Sequence, residues 1–383
     1  MERVSLLVIG AGPYGLAVAA HAQEHGIDTV VVGRPMSFWT EHMPAGMFLR
    51  SGPDWHLDAA NVHTFEAFLQ ECAIAPADID PVPISVFLDY GKWFSEQKRL
   101  GVREGLVSRL VHSGQQFQVR LDDGTAITAD RVVATPGVRH FQQVPEWADQ
   151  VAPGFGAHTC ELTRFDDLRG ARVLIIGGRQ SAYEWAALAG EHGAARIDVV
   201  HRHDAPRFER VSWRFVDPYI DQTLKSRGWW RTLPSSDQQR ISRQFWEVGR
   251  LTLEWWLTPR LSDARFHRWP NARVTTVAQN ADTIEVELSN GERLGVDRIV
   301  YASGYAANLR RVPYLRDVLP AIDVTDGFPN LDAAFQTSIP GLYIPGFAAT
   351  RDFGPFFGFT KGCPAAATLI VQDLLRAGEV NPA

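Results

Sequence analysis

Cysteine is scarce in this sequence, and its few cysteines are too far apart to form a redox pair. Cys72, Cys160 and Cys363 include no C-x-x-C pair and cannot form a closed set of disulfides. This usage is typical of a reducing cytoplasm and disfavours a dithiol redox centre. Long apolar runs are also missing: none reaches about 18 residues without a glycine, so no membrane span is predicted. The apolar segment 4–20 lacks the basic flank and cleavage site of a signal peptide.

Excess positive charge and metal-ligand spacing are missing as well. The formal net charge is −6, which gives no indication of a nucleic-acid partner. The histidines are scattered without metal-binding spacing, so no metal site is predicted. The 383 residues exceed what one compact core usually holds, and two domains are expected.

What the sequence does contain is a strand–turn–helix–strand pattern that occurs twice. The first copy has strands at Val4–Ile9 and Thr29–Val32 around a helix at Leu16–His25. The second repeats the order, with strands and helix at Arg172–Ile176, Tyr183–His192 and Arg196–Val200. Short apolar runs around a small-residue helix are typical of buried parallel strands in βαβ units. We therefore predict an α/β fold with two Rossmann-like dinucleotide-binding domains.

The turn of the first unit carries a complete dinucleotide fingerprint. Residues 10–15 read G-A-G-P-Y-G, which is G-x-G-x-x-G between a strand and a helix. Glycines at these positions permit the tight turn and the close approach of a pyrophosphate, which the helix N-terminus attracts. The acid that normally ends the second strand is absent, because Val32 is followed by Gly33 and Arg34. Arg34 is therefore expected over the adenine ring.

The second fingerprint is incomplete. Gly177 and Ala182 match its first and last positions, but Arg179 replaces the middle glycine. The Arg179 side chain either crowds the pyrophosphate or pairs with a phosphate, and the sequence leaves both open. The next strand leads into Arg202, a basic residue where the 2′-phosphate of NADPH is usually bound.

With these two units in this order, the chain resembles the class B flavin-dependent monooxygenases, which include N-hydroxylating, flavin-containing and Baeyer–Villiger enzymes. Residues 134–137 (ATPG) and 301–305 (YASGY) resemble the two linkers between the nucleotide domains of that family. Residues 39–51 are similar to its loop against the isoalloxazine ring. Residues 341–346 and 351–358, before a predicted helix at Pro364–Leu375, resemble its final flavin segment.

The resemblance implies a set of binding residues for each cofactor. For FAD they are Gly10, Gly12, Pro13, Tyr14, Gly15, Arg34, Trp39, Met47, Arg50, Ser51, Ala134, Gly346, Asp352, Gly354, Pro355 and Phe356. For NADPH they are Gly177, Arg179, Gln180, Ser181, Arg202, Ser303 and Gly304. No catalytic side chain is assigned, because the flavin itself performs the redox chemistry.

The predicted domains follow from the same resemblance. Residues 1–155 and 297–383 are expected to form the FAD domain, and residues 156–296 the NAD(P) domain. Residues 212–270, which are rich in charged residues and tryptophan, are expected to form a helical insertion in the second domain. It is interpreted either as a wall of an apolar substrate site or as an interdomain or dimer contact.

The function that the resemblance implies is a cytoplasmic, NADPH-consuming monooxygenase that oxygenates a small metabolite through a peroxyflavin. N-hydroxylation is the favoured chemistry. The partners are then a small-molecule substrate and O2, with no nucleic acid or membrane and with a homodimer as a reasonable assembly. Two alternatives are an NAD(P)H-dependent flavin reductase without oxygenation and a non-catalytic FAD-binding redox sensor.

Overall fold

The computed structural model describes residues 2–249 and 251–379, whose strands form one mixed and one parallel large sheet and several smaller ones. In chain order the strands are β1 (Glu2–Ile9), β2 (Thr29–Val32), β3 (Phe48–Leu49), β4 (Val82–Pro83), β5 (Val102–Arg103), β6 (Val107–Ser113), β7 (Gln116–Leu121), β8 (Ala126–Ala134), β9 (Gly156–His158), β10 (Arg172–Ile176), β11 (Arg196–Val200), β12 (Arg207–Glu209), β13 (Thr252–Glu254), β14 (Phe266–Trp269), β15 (Val274–Asn280), β16 (Thr283–Leu288), β17 (Arg293–Val296), β18 (Arg298–Tyr301), β19 (Val324–Thr325), β20 (Phe328–Pro329) and β21 (Leu342–Tyr343).

The helices lie between these strands. They are α1 (Pro13–Glu24), α2 (Ser37–Glu41), α3 (Phe65–Glu71), α4 (Ile84–Gln97), α5 (Gln180–Glu191), α6 (Asp217–Lys225), α7 (Trp229–Thr232), α8 (Ser235–Gly249), α9 (Leu257–Arg260), α10 (Thr350–Phe353) and α11 (Cys363–Glu379). None of the helices in the described part of the chain combines the length and apolar character of a membrane span.

The first sheet is built around β1. Its order is β5-β2-β1-β8-β7-β6, and β21 pairs in parallel with β8. β1 pairs in parallel with both β2 and β8, so the carboxyl end of β1 lies between two neighbours. Helix α1 begins there with Pro13 in its first turn, where the fixed φ of proline suits a helix start. The first fingerprint therefore occupies the edge of the sheet where nucleotides bind in such folds.

The second sheet is fully parallel, in the order β14-β11-β10-β18-β9. Separate apolar clusters pack on its two faces, one around Trp185 of α5 and one around the β15–β17 hairpins. The predicted strands at residues 172–176 and 196–200 have the bounds seen in the structure. The α/β prediction with two Rossmann-like units is thus confirmed.

The predicted start of the last FAD segment at residue 297 is wrong. β18 (Arg298–Tyr301) pairs with β10 and β9, so these residues belong to the second sheet. The chain returns to the first unit only after Tyr301, in the turn that precedes Tyr305. No turn signal in the sequence separates β18 from the linker that follows it. The strand nevertheless belongs to the second sheet, and the linker leads back to the first unit.

The insertion differs from the prediction in both content and position. It contains helices α6 to α9, but β13 and β14 also fall within 212–270, and β14 is an edge strand of the second sheet paired with β11. The helical part packs on the core of the first unit, since Trp213, Trp230 and Phe245 belong to its apolar cluster. A segment that follows β11 in the chain therefore covers the other nucleotide-binding unit.

Candidate functional site

The first fingerprint forms a tight turn that is open on one side only. Gly10 has a φ of +105°, a conformation that favours glycine, and a Cβ there would lie 2.6 Å from the Thr135 carbonyl oxygen. A Cβ on Gly15 would lie 1.8 Å from the carbonyl oxygen of Gly10. A Cβ on Gly12 would meet no atom within 4 Å. Gly10 thus permits the tight turn, Gly15 permits the close packing of α1, and Gly12 leaves open space, as a pyrophosphate site requires.

Tyr14 connects this turn to the C-terminal segment. Its hydroxyl lies 2.5 Å from the carbonyl oxygen of Phe357 and 3.0 Å from that of Phe359. Burial raises the pKa of Tyr14 well above its ordinary value, so the hydroxyl remains a donor. Phe359 and Tyr14 both line the cavity described below. The first fingerprint and the loop before α11 are therefore held together across the same space.

The second fingerprint lies at the carboxyl end of β10. Gly177 has a φ of +137°, and a Cβ there would lie 2.3 Å from the Ala302 carbonyl oxygen. Arg179 caps the N-terminus of α5, and its guanidinium carbon lies 3.6 Å from the ring centroid of Trp246. The structure thus gives Arg179 a position that neither sequence interpretation included, stacked on the insertion helix α8.

The residues after β11 contain one exposed cation and one buried imidazole. Arg202 is exposed and lines the cavity. His201 is buried, with Nε2 2.9 Å from the Tyr183 hydroxyl and Nδ1 2.9 Å from the His203 carbonyl oxygen. Burial lowers the pKa of His201 to about 4, so its ring is neutral near pH 7. Arg202 is therefore the permanent positive charge at this strand end.

Both fingerprints open into one cavity of about 1400 Å³. This volume exceeds the roughly 300–1,000 Å³ of a pocket for one drug-sized ligand. Most of the predicted site residues line it: Gly10, Gly12, Pro13, Tyr14, Arg34, Trp39, Met47, Arg50, Ser51, Gly346, Gly177, Arg179, Gln180, Ser181, Arg202, Ser303 and Gly304. The structure therefore brings residues from both motifs and both linkers to a single space.

Six predicted FAD residues lie outside that lining: Gly15, Ala134, Asp352, Gly354, Pro355 and Phe356. Gly15 and Ala134 are buried behind the fingerprint. The Asp352 carboxylate accepts a hydrogen bond of 2.7 Å from the Leu331 backbone N–H, and Phe356 packs on Trp230. The predicted residues Asp352, Gly354, Pro355 and Phe356 therefore do not line this cavity, whereas Gly358, Phe359 and Thr360 of the same segment do.

Two predicted arginines line the cavity with their charges already paired. The Arg34 guanidinium lies 3.0 Å from the Glu41 carboxylate, at a partly exposed site. Arg50 is buried more deeply: its Nε donates to Glu254 at 2.9 Å and its Nη2 to the Thr252 carbonyl oxygen at 2.9 Å. The structure thus pairs Arg34 with Glu41 and pairs Arg50 with Glu254 of the insertion.

Several lining residues escaped the sequence analysis because nothing in the local pattern marks them. Trp213 and Trp246 come from the insertion, and Glu184 comes from the second turn of α5. Burial raises the pKa of Glu184, while Arg260 beside it favours the charged form. The one sequence signal for Glu184 is its position in the helix that begins after Arg179, which places it close to the fingerprint turn. Thr135, in the linker at residues 134–137, also lines the cavity, whereas the predicted Ala134 beside it does not.

Comparison with known proteins identifies the family. Residues 7–244 match the model of the pyridine nucleotide-disulphide oxidoreductases. An FAD-dependent urate hydroxylase from Xanthomonas campestris is 26% identical over 301 residues, which are 76% of this chain and 60% of that protein. A ferredoxin–NADP reductase from Thermus thermophilus is 23% identical over 91% of this chain and 86% of its own length.

The fold extends to solved structures as well. Ornithine hydroxylase from Pseudomonas aeruginosa superposes with a TM-score of 0.79 at 17% identity, over 98% of this chain and 99% of that one. At this identity the likeness concerns the fold, and it confirms the fold class that the sequence resemblance implied. By its match over residues 7–244, with two glycine-rich turns on parallel strands, the chain belongs to the pyridine nucleotide-disulphide oxidoreductase family.

Proposed function

We propose that this protein is an FAD-dependent, NADPH-consuming monooxygenase that oxygenates a small metabolite. The observation that carries the proposal is the single cavity of about 1400 Å³ into which both fingerprints open. Two dinucleotides bound at the two turns would bring their redox rings into one space. The FAD-dependent hydroxylase and the NADP reductase among the relatives support these two cofactors.

The first unit, residues 2–155 and about 302–379, suits FAD. Gly12 leaves open space where a pyrophosphate would lie, and the backbone N–H groups at the start of α1 face that space. Bound flavin would accept reducing equivalents and activate O2. The chain's own contribution is to orient the ring and exclude water, and the loop held by Tyr14 covers the cavity on that side.

The second unit, residues 156–301, suits NADPH. Gln180 and Ser181 begin α5 and line the cavity, so their backbone N–H groups are available to a pyrophosphate. Arg202 supplies a guanidinium for the 2′-phosphate. Arg179 stacks on Trp246 at the same turn and also lines the cavity.

The composition of the cavity wall disfavours disulfide reduction and suits a small organic substrate. None of the described residues that line it is a cysteine, and Cys160 and Cys363 are buried behind its lining. A disulfide-reducing activity at this cavity therefore has no thiol to use. The wall is largely apolar and aromatic, which suits a small organic substrate and the exclusion of water. We further infer a cytoplasmic enzyme, with a homodimer as its assembly.

The test is anaerobic rapid mixing of the FAD-loaded protein with NADPH, followed by mixing with oxygenated buffer. A monooxygenase is expected to bleach quickly and then to pass through a transient near-ultraviolet band before the flavin colour returns. Bleaching without that band would indicate a reductase, the second candidate supported by the NADP reductase relative. Absence of bleaching with both NADPH and NADH would contradict the proposal.

A further inference from the structure

The cavity has an aromatic wall, formed by Phe48, Trp213, Trp246 and Phe359. The Trp213 and Phe359 rings lie 5.7 Å apart, and the Arg50 guanidinium lies 4.9 Å from the Trp213 centroid. None of the four belongs to a fingerprint turn or to a linker between the units. All four line the cavity, where a third molecule would contact their apolar surface; Trp213 is buried with Arg50 over its ring, and Trp246 carries the Arg179 guanidinium.

The same cavity provides almost no negative charge. Among the described residues that line it, Glu184 is the one carboxylate. Its Oε1 accepts a hydrogen bond of 2.5 Å from Arg260, and its Oε2 accepts bonds from Trp256 at 3.3 Å and Gln180 at 3.1 Å. Glu184 is buried among these three donors, and Arg260 already compensates its charge.

Two arginines lie against the aromatic wall: the guanidinium carbon of Arg179 is 3.6 Å from the Trp246 centroid, and that of Arg50 is 4.9 Å from the Trp213 centroid. Arg50 pairs with Glu254, and its other donors bond to the carbonyl oxygens of Gly249 and Thr252. The wall therefore presents aromatic rings, the compensated Arg50–Glu254 pair and the Arg179 guanidinium, whose positive charge disfavours a ligand cation. An ammonium group entering this region would lose its water without gaining a carboxylate, and buried charges in proteins are normally paired.

We propose, on the basis of the function proposed above, that the substrate is a flat aromatic compound that binds without a positive charge. Its ring packs on the aromatic wall, and diamino acids such as ornithine and lysine are excluded. N-hydroxylation remains compatible when the reacting nitrogen is uncharged.

The test compares pairs of ligands that differ in charge and little else. Tryptophol and tryptamine share an indole and a two-carbon chain and end in a hydroxyl or an ammonium. Phenethyl alcohol with phenethylamine, and naphthaleneethanol with naphthaleneethylamine, extend the comparison to other ring sizes. Each ligand is titrated into the FAD-loaded enzyme without NADPH, and the change in the flavin absorption spectrum gives its affinity. L-ornithine and L-lysine are titrated in parallel.

We expect the alcohol to bind at least about tenfold more tightly than the amine in one or more pairs, with no response to ornithine or lysine. Trp213→Leu and Phe359→Leu should weaken that binding about tenfold. Trp255→Leu serves as the matched control, because Trp255 stacks on Arg210 outside the cavity lining. Two separate single-ring variants keep the test valid if one of them fails to fold.

Tighter binding of the amines, a response to ornithine or lysine, or no response to any aromatic ligand would overturn the inference. The titration uses neither NADPH nor O2, so it is independent of the rapid-mixing test. An enzyme that NADPH fails to bleach but that still prefers tryptophol would refute the proposed function and retain the aromatic site. An enzyme that NADPH bleaches and that forms the near-ultraviolet band, but that does not prefer tryptophol, would support the proposed monooxygenase and refute this substrate class.

Discussion

Two glycines of the first fingerprint give opposite expectations when each is replaced by alanine. A Cβ on Gly15 would lie 1.8 Å from the carbonyl oxygen of Gly10, which is rigid backbone. A Cβ on Gly12 would meet no protein atom within 4 Å and would project into the cavity. Gly15→Ala should therefore damage the fold, whereas Gly12→Ala should leave the fold intact and obstruct the pyrophosphate.

The magnitudes follow from these contacts. Overpacking typically costs about 1–3 kcal/mol, and an overlap with backbone at 1.8 Å lies at or above the top of that range. At about 3 kcal/mol the melting temperature of the protein without FAD should fall by roughly 6–12 °C. Gly12 is the N-cap of α1 in an extended conformation, so Gly12→Ala should cost about 1 kcal/mol or less. Loss of one charge-assisted hydrogen bond to a phosphate should weaken FAD binding by about 10- to 150-fold.

The assay has two readouts for each variant. Thermal melting of the FAD-free protein reports the fold, and titration with FAD, followed by flavin fluorescence, reports the site. Gly114→Ala is a matched control, because a Cβ there also meets nothing within 4 Å and lies in a hairpin turn outside the cavity, although its φ of +64° adds some strain. Unchanged FAD affinity in Gly12→Ala would refute the assignment of the pyrophosphate to this turn. Equal melting temperatures for Gly12→Ala and Gly15→Ala would refute the packing argument.

Three further outcomes are expected. Glu254→Gln should destabilise the protein by about 3–5 kcal/mol, because it leaves the buried Arg50 uncompensated; denaturant unfolding of this variant and of Arg50→Met with Glu254→Leu checks this, and the double variant should recover much of the loss. Arg202→Ala should raise the KM for NADPH about tenfold and leave that for NADH unchanged; equal effects would remove Arg202 from the 2′-phosphate. Because His201 has a pKa of about 4 when folded and an ordinary value near 6.5 when unfolded, protons bind the unfolded chain first as pH falls. Stability should drop between about pH 6.5 and 4 by up to about 3 kcal/mol, and His201→Gln should lessen this slope in melting curves recorded across that range.

The parts of the fold that the sequence predicted share one physical property. Thr29–Val32, Arg172–Ile176 and Arg196–Val200 are central or near-central parallel strands, covered on both faces. Such strands must be continuously apolar, and glycine turns bound them, so their limits are visible in the sequence. The glycines of the first fingerprint were predictable for a related reason, since few other residues fit a turn of that shape.

The errors fall where position depends on partners far away in the chain. Phe266–Trp269 has a mixed pattern, and only its pairing with Ile197–Val200 makes it a strand. Asp352 was assigned to FAD from its place in a motif, yet its carboxylate is used by the Leu331 backbone. Trp246 gave no local sign that it would reach Arg179 from the insertion. Tertiary contacts of this kind leave no periodicity in either of the segments that they join.

One short strand explains why the insertion covers the first unit although it is attached to the second. The backbone N–H of Glu254 in β13 donates to the Gln180 side chain at the start of α5. The Glu254 carboxylate and the Thr252 carbonyl oxygen accept from Arg50, in the segment predicted to lie against the flavin. β13 therefore contacts the start of α5 in the second unit and Arg50 in the first unit through buried groups. Because each of these polar groups would be costly to leave unpaired, a movement of one unit relative to the other must break bonds on one side of β13, so these contacts hold the insertion between the two units.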